Sequence, residues 1–178
     1  MLSSRRLVAA VCSAAALFAL PGTAEADVPV GPARLVGCPA GTDDHYRYAG
    51  SLLAYQCHSA VLDPAGRTVI LRLGRSDGSG PSAFGMLHAL LDHNVQEHVV
   101  ERVVSSALPI SAPRGRVRYI AEFRRDGYGV MSVWVEVDPR QSKDAPDTEP
   151  FGVLTAYCKL PVRAAPENRC PDWVNETL

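Results

Sequence analysis

The chain has 178 residues, with 18 Lys and Arg against 19 Asp and Glu, for a formal net charge of −1. Arg far outnumbers Lys and no basic run occurs, which excludes a duplex nucleic-acid binder, because backbone binding needs clustered positive charge. The Ala-, Val- and Arg-rich composition fits a high-GC bacterium.

MLSSRR opens the chain as a short basic segment, and LVAAVCSAAALFAL follows as an apolar stretch too short to span a bilayer. PGTAEA then breaks it, with Ala24 and Ala26 in the A-x-A register of a cleavage site. The pattern predicts a signal peptide over 1–26 and a single secreted domain over 27–178, with no membrane span left after cleavage. Arg5 and Arg6 leave both Sec and twin-arginine export open. One domain of this length can bury a sizeable core, so disulfides assist the fold rather than replace a core.

Cys12 departs with the leader, leaving Cys38, Cys57, Cys158 and Cys170. Four cysteines in an exported chain read as two disulfides, with three possible pairings. Cys38–Cys57 and Cys158–Cys170 are preferred, because each closes a short loop. No C-x-x-C pair suggests a metal site instead.

Residues 27–45 read as an irregular arm. SLLAYQCHSAVLDPAGRTVILRLG then reads as a hairpin turning at Asp63-Pro64-Ala65-Gly66. Facing Asp63 with Arg67 sets Val61 opposite Val69, Ser59 opposite Leu71 and Cys57 opposite Leu73. One long helix is expected from about Ser82 to about Leu108, with a buried stripe of Phe84, Leu87, Leu91, Val95, Val99 and Val103. Asp92-His93-Asn94 is a place where it could bend.

RVRYIAEFRR and GVMSVWVEV flank Asp126-Gly127, a two-residue turn signal. Pairing Arg125 with Tyr128 places Tyr119, Phe123 and Trp134 on one face, and Ile120, Met131, Val133, Val135 and Val137 on the other. Residues 138–150 are expected as a mobile polar loop, and FGVLTAYCKL as a last strand. The fold class is therefore α+β: a mainly antiparallel sheet of about five strands in ββαβββ order, with one long helix on one face and two disulfides.

The densest chemistry is HALLDHNVQEH. His88, His93 and His98 stand five apart, so on a regular helix neighbours point about 140° from each other and do not share one ion. Their same-face pairs, His88/Asp92, His93/Glu97 and His98 with Glu101 or Arg102, read as a solvated face. Gly74-Arg75-Ser76-Asp77-Gly78 matches G-x-S-x-G, yet no histidine follows His98, so a Gly/Ser loop is the better reading. No catalytic residue, metal ligand or cofactor site is assigned. Tyr119, Phe123 and Trp134, with Tyr157, form the candidate binding cluster.

The leading function is a secreted, disulfide-stabilised binding module without catalysis, its partner an unknown protein or envelope component. The order hairpin, helix, hairpin with two disulfides resembles the secreted subtilisin inhibitors of actinobacteria, and that resemblance implies a protease inhibitor as the alternative. The chain lacks their cysteine in the helix, and no inhibitory loop is recognisable. A cell-envelope hydrolase using His58, His88 or His93 is the third reading.

Overall fold

A computed structural model of the chain describes residues 32–76, 82–159 and 168–176. The leader expected over 1–26 lies outside these residues, as do Asp77, Gly78 and Pro81. The first hairpin follows from Asp63. Its backbone N–H donates to Arg67 O, and Gly66, at a φ of 78°, closes the turn. The strands are β2 (Cys57–Leu62) and β3 (Thr68–Arg72), with Val61 opposite Val69 and Ser59 opposite Leu71. The expected register breaks at Cys57, which faces Arg72 rather than Leu73. His58 is the extra residue of a bulge, and Cys57 there bonds to Cys38. β1 (Leu35–Val36) adds a third antiparallel strand beside β2, within the segment read as an irregular arm.

Two helices stand where one was expected: α1 (Gly85–His93) and α2 (Glu97–Ser106). Asn94 ends α1 at φ 54° and ψ 44°, a left-handed conformation that Asn tolerates better than most residues. The C-terminal segment saturates the break. Asn94 Nδ2 donates to Cys170 O and to Asp172 Oδ1, both at 2.8 Å. Asn175 returns two bonds, accepting from Gln96 N–H and donating to Asn94 O. The interruption resets the helical phase, so the stripe differs from the expected one. Met86 and Ala89 face the core from α1, Leu91 points outward, and α2 buries Val99, Val100, Val103 and Val104.

α1 starts later than Ser82 because Phe84 is extended and bridges to Arg75. Gly74 and Gly85 touch at that crossing: a Cβ on Gly74 would lie 2.0 Å from Phe84 O. The first glycine of the G-x-S-x-G stretch thus has a packing reason.

Four antiparallel strands form the second sheet: β4 (Ile110–Ala112), β5 (Arg116–Arg125), β6 (Gly129–Gln141) and β7 (Pro150–Lys159). Arg125 pairs with Gly129, not Tyr128, so the connection is the three-residue loop Asp126-Gly127-Tyr128. A one-residue shift moves every side chain of a strand to the other face. Tyr119, Ala121 and Phe123 therefore join Met131, Val133, Val135 and Val137 in the core, and Trp134 faces Ile120 on the outer side. β6 continues to Gln141, into the span read as loop, and 142–149 connect it to β7.

The observed order is βββααββββ followed by the short α3 (Asp172–Glu176), an α+β arrangement with sheets of three and four strands instead of one sheet of about five. Residues from both sheets and all three helices share one core. The sheets meet where Gly152 of β7 crosses β3; a Cβ there would lie 2.1 Å from Ile70 O. Asp147 locks the β6–β7 connection down by clasping the fully buried Arg72 through two bonds of 2.9 Å. The disulfides are Cys38–Cys57 and Cys158–Cys170. No helix of the described residues is long and apolar enough to cross a membrane.

Candidate binding face on the four-stranded sheet

Alternation along the strands gives the second sheet an outer face as well as a buried one. Trp134 is half-buried at its centre, with Ile120 across on β5 and Tyr157 across on β7. The Trp134 and Tyr157 rings lie 6.2 Å apart at a 35° tilt. Two cations flank the indole. The Arg118 guanidinium stands 4.4 Å from its centroid and the Lys159 ammonium 4.0 Å. At partly exposed positions such contacts contribute about 0.5–1 kcal/mol each.

Glu136 organises the next row. It accepts from Arg118 Nη2 at 2.6 Å and from the Tyr157 hydroxyl at 3.2 Å, and Arg116 lies 3.6 Å away. Burial pushes the Tyr157 phenol up to about 12, and the Glu136 carboxylate adds to the push, so the hydroxyl stays a donor. Some bonding capacity is left over. Arg116 Nε, Arg118 Nε and Thr155 Oγ1 are shielded from solvent and have no hydrogen-bond partner among the described residues. All three sit on this face.

The histidines of α1 border the face. His93 lies 5.9 Å from Tyr157, and the His88 and His93 rings meet edge to face at 4.8 Å. Although they stand five apart on α1, of which His93 is the last residue, the two rings touch, while no metal-holding group of three forms with them among the described residues. Burial, with His88 next to it, lowers His93 below the ordinary imidazole value. Asp92 takes two donors, the Ser76 hydroxyl at 2.6 Å and His88 Nδ1 at 2.5 Å. The Ser76 bond above all, and then the His88 bond, outweigh desolvation and hold Asp92 below the usual carboxylate range.

Past His88 a cleft of about 540 Å³ opens, lined by Tyr55, Phe84 and Phe151 and by Arg75, Arg116, Asp138 and Asp144. Its aromatic wall is fixed by edge contacts, Phe84 to Phe151 at 4.7 Å and Tyr55 to Phe151 at 6.1 Å.

No known family, curated protein or solved structure matches the chain. The chemistry of the face is thus the guide to function.

Of the four aromatic residues singled out from the sequence, the structure brings together Trp134 and Tyr157. Tyr119 and Phe123 lie in the core, 1% and 4% exposed, on the other side of the sheet. Of the expected helix-surface pairs, His88/Asp92 forms. Glu97 instead bonds His58 at 3.0 Å, and His98 bonds the backbone of Asn175. Among the described residues no group of three or more His, Cys, Asp or Glu is placed to hold a metal ion. Arg118, Glu136 and Lys159 were missed. Their alternation with Trp134 was readable only once the hairpin register was known. Nothing local pointed to the Ser76–Asp92 bond, which spans 16 residues.

Proposed function

We propose that the protein is a secreted, disulfide-stapled binding module without catalytic activity, docking a protein or envelope component on the outer face of the four-stranded sheet. The observation that carries this is the half-buried Trp134–Tyr157 pair on that face, flanked by the Arg118 and Lys159 cations. Aromatic and Arg side chains are the preferred anchors of docking contacts. Two disulfides and a leader-like start support export. The test is capture from native culture fluid on the immobilised mature chain. Material retained by the wild type and lost with Trp134→Ala and Tyr157→Ala supports the reading, and equal retention sinks it.

A second reading rests on His88. Its Nδ1 is held by Asp92, the arrangement that orients an imidazole for general-base work, and His88 lines the 540 Å³ cleft. It favours an envelope hydrolase that activates water, since the Ser76 hydroxyl is spent on Asp92 rather than on His88. Ester or amide hydrolysis abolished by His88→Gln would establish it. The inhibitor alternative asks for an extended exposed loop. Tyr46, 97% exposed within the Cys38–Cys57 loop, sits instead on a helical turn closed by Asp44. Inhibition assays against subtilisin and trypsin should read no effect.

A further inference from the structure

The break between α1 and α2 leaves a second concavity, lined by residues that take no part in the sheet face. It is a groove of about 520 Å³, its apolar part made by Leu73, Met86, Leu87 and Leu90. His58, Glu97, His98 and Glu101 line its polar part. Glu101 is the unusual member: a carboxyl side chain on a residue only 8% exposed, with no ion pair to Lys or Arg among the described residues. Burial pushes its carboxyl up, and Glu97 adds to the push. Ser59 offsets this only in part, its hydroxyl falling short of good hydrogen-bond geometry.

Glu97 and Glu101 are one turn apart on α2, so they share a face, and like charges so placed repel. His58 partners Glu97 from β2, and His98 is engaged by Asn175 O. A fixed cation between the two carboxylates would relieve both the burial cost and the repulsion. A divalent metal ion is a poor fit, because zinc would need at least three of these His and Glu donors converging on one point, and no three among the described residues do so. The apolar floor calls instead for a cation that carries hydrocarbon.

We propose that this groove binds a small aliphatic primary ammonium compound, its head between Glu97 and Glu101 and its alkyl chain on Leu73, Met86, Leu87 and Leu90. The ammonium supplies three donors, to Glu101, which has no ion pair among the described residues, and to Glu97 beside its His58 bond. Each methylene laid on the floor should tighten binding about three- to fourfold until the groove is filled.

The test is calorimetric titration of the oxidised chain with n-hexylammonium chloride and, as the uncharged isostere, 1-hexanol. The amine should bind at least about tenfold more tightly, the size of one good charge-assisted bond. Glu101→Gln should erase that preference and leave the hexanol affinity unchanged. Glu97→Gln is the second variant, and should reduce the preference if Glu101→Gln fails to fold. Trp134→Ala should leave amine binding intact, so failure here and failure of the sheet-face reading are separable. Equal affinity for amine and alcohol, or no binding of either, overturns the proposal. So does binding confined to Nα-acetyl-lysine methylamide, which would hand the groove to a partner's lysine.

Discussion

The Tyr119 hydroxyl donates to Asp63 Oδ2 at 2.9 Å, tying β5 of one sheet to the turn of the other. Asp63 is wholly buried and also accepts the Arg67 amide and side chain, so three donors hold one carboxylate. Tyr119→Phe removes one of them while keeping the ring in the core. The expected loss is about 1.5–3 kcal/mol, the range for a hydrogen bond to a charged group. Urea unfolding measures it directly. An unchanged midpoint would mean that water or Arg67 satisfies Asp63 without the phenol.

Acid and base limbs of stability should have separate owners. Burial alone would raise Asp63 and Asp147. The bonds from Arg67 and Tyr119, and from Arg72 and Tyr48, overcome it and hold both carboxyls below the usual range. A depressed carboxyl contributes stability that is present above its unfolded value of about 3.9 and lost as pH falls through the folded value. Glu101 has the opposite sign: its raised value costs stability as pH rises from about 4.3 through the folded value. Melting temperatures across the acid range should fall steeply below about pH 4. Glu101→Gln should flatten only the decline on the higher side. A variant curve parallel to the wild type would refute the assignment to Glu101.

How much of this was legible depends on how local each determinant is. The β2–β3 register was readable because both strands carry their apolar residues on one face, and Asp63 closes the turn from within it. The β5–β6 register was misread by one residue, since Asp126-Gly127 serves a two- or a three-residue loop equally well. Gly129, at a φ of 91°, was the overlooked sign of the longer loop. That single error put Trp134 on one face with Tyr119 and Phe123, which the observed register separates from it. The helix break was marked only by Asn94, whose partners Cys170 and Asn175 lie 76 and 81 residues further along. Trp134 and Tyr157 were visible as candidates, but the cations and carboxylate around them come from three strands and needed the register first.

Asn94 should matter more than its place on the surface suggests. Asn94→Ala loses the amide bonds to Cys170 O and Asp172 and puts a less tolerant residue at φ 54°. Together these should cost about 2–3 kcal/mol, from roughly one unit per net hydrogen bond and a left-handed penalty of similar size. Asn94→Gly relieves the backbone but not the bonds, so it should recover about a third. Hydrogen exchange should show the Gln96 and Cys170 amides opening first in the Ala variant. Equal stability of the Ala and Gly variants would remove backbone conformation from the account.

Trp134 decides between a structural and a binding role for the outer face. A buried Trp truncated to Ala costs about 3–5 kcal/mol. Trp134 is half-buried, with its neighbours Arg118, Lys159 and Tyr157 all reaching it across strands. Its truncation forfeits about half the apolar burial and two cation contacts, so about 1.5–2.5 kcal/mol is expected. The partner-binding reading adds a second consequence, a loss of 2 kcal/mol or more of binding on the captured partner, roughly 30-fold in affinity. Acrylamide should quench Trp134 in the free chain and lose access to it once the partner is bound; Trp173→Phe isolates the signal. A loss of stability as large as for a core Trp, with partner capture unchanged, would make the residue a packing element of the sheet and end the docking-face proposal.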